Sequence, residues 1–173
     1  MNNYKALLTR INTFIFDYDG VLTDGSVLIT SNGDALRSGN VKDGYAIQLA
    51  LKKGYHVAVI SGGNSLSMEK RMEMLKVNDY YLGVEKKMEV YNKYLAKHKL
   101  SQENVLYVGD DIPDIPVMQQ AGVSVCPADA AEEVKKIATY ISHFNGGKGC
   151  VRDVIEQVLK VQGKWMNDDA FHW

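Results

Sequence analysis

Short apolar runs alternate along this chain with longer amphipathic stretches. The runs Thr13–Phe16, His56–Ile60, Tyr80–Leu82, Val105–Val108, Val123–Val125 and Tyr140–Ile141 predict strands. The stretches Gly44–Lys53, Ser65–Leu75, Lys87–His98, Pro113–Ala121, Ala131–Lys136 and Cys150–Val161 predict helices. Such alternation predicts an α/β fold, a Rossmann-like parallel sheet with helices on both faces and ligands at the carboxyl ends of the strands.

One segment breaks the alternation. Ser26–Thr30, then Ser31-Asn32-Gly33-Asp34, then Ala35–Asn40 reads as a β-hairpin inserted after the first strand, because Asn-Gly is the strongest short hairpin signal. Its alternation leaves apolar side chains on both faces, Val27 and Ile29 against Leu28, so it needs partners. The intervals from Ser61 to Lys87 and from Lys87 to Gly109 have room for a helix and a strand each, so no cap domain is expected. Residues 1–162 read as one domain, with the hairpin at about 26–40. Residues 163–173 read as a tail whose Trp165, Phe171 and Trp173 are expected to dock on a partner subunit rather than stay exposed.

Four polar clusters terminate apolar runs. Asp17-Tyr18-Asp19-Gly20 places two carboxylates one residue apart after the first strand, as a nucleophile and a proton-transfer group would need. Ser61-Gly62-Gly63 follows the second strand, and its hydroxyl and bare amides can hold phosphate oxygens ahead of a helix. Lys87, or less favourably Lys86, opens the next helix and can neutralise a phosphoryl transition state. Gly109-Asp110-Asp111-Ile112-Pro113-Asp114 gathers hard oxygen ligands suited to Mg²⁺. Each cluster alone could be a turn or a helix cap.

Composition narrows the classes. The 173 residues suit one well-filled core, and a net charge of -1 argues against a broad nucleic-acid footprint. No apolar stretch is long enough to span a membrane, and Met1-Asn2-Asn3-Tyr4-Lys5 does not read as a signal peptide. Cys126 and Cys150 lack metal-ligand spacing and read as reduced thiols of a cytoplasmic protein.

Taken in order, Asp-x-Asp-Gly, the serine after a strand, the lysine and Gly-Asp-Asp-x-x-Asp resemble the haloacid dehalogenase superfamily of phosphohydrolases, from Thr13 to about Asp153. The resemblance implies an aspartyl-phosphate mechanism. Asp17 would be the nucleophile, Asp19 the acid and base, and Ser61 and Lys87 the phosphoryl holders. It implies Mg²⁺ on Asp17, the backbone carbonyl of Asp19 and Asp110, with Asp111 and Asp114 acting from behind or through water.

The hairpin, the run Asn40-Val41-Lys42-Asp43-Gly44-Tyr45 and the run Gly146-Gly147-Lys148-Gly149-Cys150 are similar to a capless, tetrameric branch of that superfamily. That branch hydrolyses 3-deoxy-D-manno-octulosonate 8-phosphate in lipopolysaccharide sugar synthesis. Its nine-carbon counterpart, which acts on nononate 9-phosphate, carries an acidic residue at the position of Gly63 and a lysine near Met74, so this chain leans toward the eight-carbon substrate. A broader phosphatase with an open site is the other alternative. A substrate anionic at both ends wants amides such as those of Gly62 and Gly63 for its phosphate. Its carboxylate wants a cation, for which Lys42, Arg71, Lys148 and Arg152 are candidates.

Overall fold

The computed structural model describes residues 4–172, so Met1–Asn3 of the N-terminal reading and Trp173 of the tail lie outside the described residues. Six parallel strands form one sheet: β1 (Thr13–Phe16), β4 (His56–Ile60), β5 (Asp79–Tyr81), β6 (Val105–Val108), β7 (Val123–Cys126) and β8 (Tyr140–Ile141). Their order is β5-β4-β1-β6-β7-β8. β1 lies at the centre, and its four residues are all buried, as expected for a strand covered on both faces. The register sets Phe16 beside Val59 on β4 and Val108 on β6, so the chain leaves all three strands at one level.

Helices cover both faces. α1 (Tyr4–Leu8), α2 (Val41–Lys52), α3 (Leu66–Leu75) and α7 (Cys150–Val161) supply one layer, where Ile47, Met68, Met72, Val154 and Ile155 pack against Phe14 and Phe16. α4 (Lys87–His98), α5 (Ile115–Met118) and α6 (Glu132–Ile137) supply the other, where Tyr91, Tyr94, Val117 and Val134 pack against Ile15 and Tyr107. α7 buries Cys150, Val151, Val154, Ile155, Val158 and Leu159, a stripe at helical spacing.

Several boundaries differ from the pattern-based expectation for local reasons. α2 begins at Val41 rather than Gly44, because the Asn40 side chain accepts from Lys42 N at 2.8 Å and Asp43 N at 3.2 Å. The helix expected over Pro113–Ala121 is split into a 3₁₀ turn, Ile112–Asp114, and the short α5. Two prolines in this stretch remove donors, and Gln120 N closes instead on Val117 O. The hairpin forms, with β2 (Leu28–Ile29) antiparallel to β3 (Ala35–Leu36), but it is shorter than the alternation suggested.

Within one protomer part of the tail packs on its own chain, while Phe171 remains 67% exposed. A 3₁₀ turn at Asp168–Phe171 lies against α2. Tyr45 Oη donates to Ala170 O, Lys53 pairs with Asp169, and Lys52 Nζ donates to His172 O at 2.6 Å. Trp165 packs on the α2–α7 layer beneath the Arg152 guanidinium.

Because Ile155 is fully buried between α7 and the sheet, Ile155→Ala should cost about 2–5 kcal/mol. The measurement is the urea midpoint at unchanged slope. A loss below about 0.5 kcal/mol, the range of exposed positions, would place Ile155 outside the supporting core.

Candidate active site

Asp17 emerges from the end of β1, and its N–H continues the ladder by donating to Val108 O at 2.9 Å. The residue is 7% exposed, and its Oδ1 accepts from Tyr18 N at 2.7 Å. Tyr18, the bulky residue inside the doublet, turns the other way into the core. The Tyr18 carbonyl then accepts from Leu22 N at 2.9 Å and Thr23 N at 3.2 Å, closing the turn that brings Asp19 back over the strand end. Gly20 sits in this turn at φ +82°, and a Cβ there would lie 2.0 Å from Asp110 Oδ2, so only glycine lets the β1 and β6 loops meet.

The β6 loop delivers the remaining acids. Asp114 is fully buried. Its Oδ1 accepts from Lys87 Nζ at 2.7 Å and Tyr107 Oη at 2.6 Å, and its Oδ2 accepts from Asp110 N at 3.1 Å and Asp111 N at 3.4 Å. Asp111 is exposed, and its Oδ1 caps Ile112 N at 2.8 Å. Carboxylate oxygens of Asp17, Asp110 and Asp114 lie within 4.8 Å of one another.

Crowding and burial act on the same groups. Burial, with the Asp114 charge adding to it, pushes Asp17 up to about 6 despite its pair with Lys87. Burial, with Asp17 and Asp114 adding to it, pushes Asp110 up to about 8. Lys87 Nζ lies 2.9 Å from Asp17 Oδ1 as well as 2.7 Å from Asp114. Burial alone would draw that ammonium down, but the two carboxylates outweigh it and leave the Lys87 pKa above its ordinary value. Lys86, the alternative, is an exposed partner of Glu89.

One ammonium cannot neutralise this cluster. A small hard dication fits the donor set, since it takes few protein carboxylates and would remove their mutual repulsion. Asp114 already accepts four hydrogen bonds, so Asp17 and Asp110 are the better direct ligands and Asp114 the support behind them. Asp111, turned to cap its own helix, stands further from direct ligation.

The acids line a pocket of about 420 Å³, shared with Ser61, Gly62, Gly63 and Lys87. Ser61 is buried at the end of β4, and its Oγ accepts from Gly63 N at 3.1 Å. The loop is braced from behind, because Val84 N donates to Ser61 O and Gly83 N to Gly63 O. Ser65 holds the N-cap position of α3 without a side-chain cap, its hydroxyl turned instead to Arg37 and Ser67.

The carboxylate-binding candidates do not join this pocket within one protomer. Lys42, Lys148 and Arg152 line a separate groove of about 390 Å³ with Glu156 and Lys160. Arg71 donates to Asn40 O at 3.1 Å beside a small cavity between α2 and α3. The Gly146–Gly149 run is not an open nest: Gly147 N donates to Val21 O at 2.9 Å, bracing the loop that carries Asp19.

One residue at the site has no signal in the sequence. Arg37, beyond β3, forms a bidentate pair with Asp19 at 2.7 and 3.0 Å. Eighteen positions separate the partners, and no local period relates them. Only the hairpin folding back across the end of β1 joins them.

Comparisons with known proteins agree with this geometry. A family model described as haloacid dehalogenase-like hydrolase matches residues 83–155. The 3-deoxy-D-manno-octulosonate 8-phosphate phosphatase KdsC of Salmonella typhi is 41% identical over 155 residues, covering 90% of this chain and 82% of that protein. The crystal structure of the Yersinia pestis 3-deoxy-D-manno-octulosonate 8-phosphate phosphatase superposes with a TM-score of 0.92 at 35% identity, covering 94% of this chain and 88% of that one. The Moraxella catarrhalis enzyme of the same name, solved with magnesium ion, phosphate ion and KDO, superposes with a TM-score of 0.92 at 29% identity, covering 99% and 97%. At this identity and coverage, the chain belongs to the haloacid dehalogenase-like hydrolases, in the family of the 3-deoxy-D-manno-octulosonate 8-phosphate phosphatases.

Proposed function

We propose that the protein is a Mg²⁺-dependent phosphatase of 3-deoxy-D-manno-octulosonate 8-phosphate that works through an aspartyl-phosphate. The observation that carries this reading is the setting of Asp17. Its carboxylate lies at the end of the central strand, paired with Lys87 at 2.9 Å, in the pocket that also holds Ser61 and Asp19. An Asp17 oxygen attacks phosphorus while the bond from phosphorus to the sugar oxygen breaks, and Asp19 gives that oxygen its proton. Asp19 then takes a proton from water as the water oxygen attacks phosphorus, the bond to Asp17 breaks and inorganic phosphate leaves. Ser61, Lys87 and the amides of Gly62 and Gly63 hold the other phosphoryl oxygens.

Asp17, Asp110 and the Asp19 carbonyl would hold the magnesium ion, with Asp114 and Asp111 behind them. The bound ion supplies charge neutralisation and alignment of the phosphoryl group. The eight-carbon substrate is favoured over the nine-carbon one because this chain has Gly63 and Met74 where the nine-carbon branch carries an acidic residue and a lysine. The substrate carboxylate must find cations outside an acidic pocket that holds one lysine. Lys42, Lys148 and Arg152 supply them in our reading, presented by a neighbouring subunit, with Arg71 holding the α2–α3 junction.

The proposed assembly is a homotetramer joined by hairpins, in which Leu28 and Ile29, 67% and 63% exposed, meet their symmetry copies. Residues 1–162 act as one domain and 163–173 as its tail. Cys126 and Cys150 are free and buried, which suits a reducing cytoplasm.

Asp17→Asn should abolish phosphate release without loss of fold, and Asp19→Asn should cost about a hundredfold on the sugar phosphate. The assay is a panel of eight- and nine-carbon sugar acid phosphates, nucleotides and phosphopeptides. Retained turnover in Asp17→Asn would end the aspartyl-phosphate reading, and a preference for another substrate would end the assignment.

A second expectation concerns protons and metal. The ordinary carboxylate value is 3.8, against about 6 for Asp17 and about 8 for Asp110 in the fold. The folded, metal-free protein therefore binds more protons than the unfolded chain across that interval, and it loses stability as pH rises through it. Magnesium competes with those protons, so the increase in Tm on replacing chelator with Mg²⁺ should be larger at about pH 8 than at about pH 5. Equal increases at both would mean that Asp17 and Asp110 are not the ligands.

The assembly is testable by sedimentation. Wild-type protein should run as a tetramer, and Val27→Glu with Ile29→Glu should give smaller species with weakened turnover of the sugar phosphate. A fully active wild-type monomer would remove the hairpin from the mechanism.

A further inference from the structure

The guanidinium of Arg37 is held on three sides. Nε donates to Asp19 Oδ1 at 2.7 Å and Nη2 to Asp19 Oδ2 at 3.0 Å. Nη1 donates to Ala35 O at 3.0 Å and to Ser65 Oγ at 3.2 Å. Ser65 Oγ in turn lies 3.0 Å from Ser67 Oγ, which donates to Ala35 O at 3.3 Å. The Arg37 side chain is 8% exposed against 31% for Asp19, so the cation is the walled member of the pair and the carboxylate the one that faces the pocket.

Two parallel N–H···O bonds set the plane of a carboxylate as well as its distance. Without them, Asp19 would be free to rotate in a half-open loop. The phosphate loop is shaped to admit the pair. A methyl group at Gly63 would lie 2.7 Å from Asp19 Oδ2 and 3.2 Å from Arg37 Nη2. Arg37 on the hairpin strand, Ser65 at the head of α3 and the bare α-carbon of Gly63 thus converge on one carboxylate.

We propose that Arg37 is a positioning residue for Asp19, which it aims at the oxygen that leaves with the sugar. The inference rests on the reading of Asp19 as proton donor. It makes the hairpin segment part of the catalytic apparatus within each protomer, apart from any role in assembly.

In kcat/KM, which reports the steps up to release of the leaving oxygen, position matters only where that oxygen needs a proton, since the later water step is common to every substrate. A sugar alkoxide needs one, whereas p-nitrophenolate leaves without it. Arg37→Met should lower kcat/KM on the sugar phosphate by about tenfold to a hundredfold, the scale of a misplaced catalytic group. On p-nitrophenyl phosphate the same variant should lose much less. Arg37→Lys keeps the charge but not the fork, so it should recover part of the loss.

Asp19→Asn is the reference. If it is selective for the sugar phosphate while Arg37→Met impairs both substrates equally or neither, the positioning role is overturned and the acid–base reading stands. If Asp19→Asn itself shows no selectivity in kcat/KM, the reading of Asp19 as proton donor falls and this proposal with it. Should Arg37→Met fail to fold, Arg37→Lys and Arg37→Gln decide the question by the same ratio of the two substrates.

Discussion

A single buried ammonium holds the acidic end of the sheet together. Lys87 Nζ sits between Asp17 and Asp114, and all three side chains are at most 10% exposed. Removing such a partner leaves uncompensated buried charge, at a cost of about 3–5 kcal/mol. Because α4 starts at Lys87 and Asp114 lies in the turn ahead of α5, the triad ties two helices of one layer to the end of the central strand. The Tyr107 hydroxyl and two backbone amides complete Asp114, which is why a fully buried carboxylate is tolerated there.

The same geometry sets a limit that the protein alone does not resolve. β1 and β6 are neighbours in register, so acids placed just beyond their ends must crowd. One lysine satisfies two of the carboxylates and leaves Asp110 pushed up by burial and by its neighbours. The cluster is therefore poised for a dication, and that requirement shapes the adjoining loop as well. Gly20 has no side chain because Asp110 occupies the space where one would be. A small hard dication would relieve the repulsion among Asp17, Asp110 and Asp114.

The hairpin faces two ways. Its outer side chains, Leu28 and Ile29, stand in solvent in one protomer. Its return strand leads into Arg37, which reaches Asp19 and the start of α3. A two-stranded ribbon this short is marginal by itself, and here it gains order from the Arg37–Asp19 ion pair. The hairpin therefore has a short physical route to the site, from β3 through Arg37 to the carboxylate of Asp19.

The fold and most of the acid cluster were legible in the chain because they depend on local pattern. Fully buried strands read as unbroken apolar runs, and Asp17, Ser61 and Asp110 follow such runs directly. Strand ends in a parallel sheet converge, so residues placed there meet whatever the details of packing. Element edges were less legible, since Asn40 starts α2 early and two prolines shorten α5 through single hydrogen bonds that no period reveals. Distinguishing Lys87 from Lys86 by burial, turning Asp111 to cap its own helix, folding the tail onto α2 and directing Lys42 and Lys148 away from the pocket were all decided by the tertiary structure. So was the pairing of Arg37 with Asp19. Composition and spacing determine what each segment becomes, but a contact between residues 19 and 37 exists only after the hairpin folds across the end of β1, and nothing in either residue's own neighbourhood encodes that path.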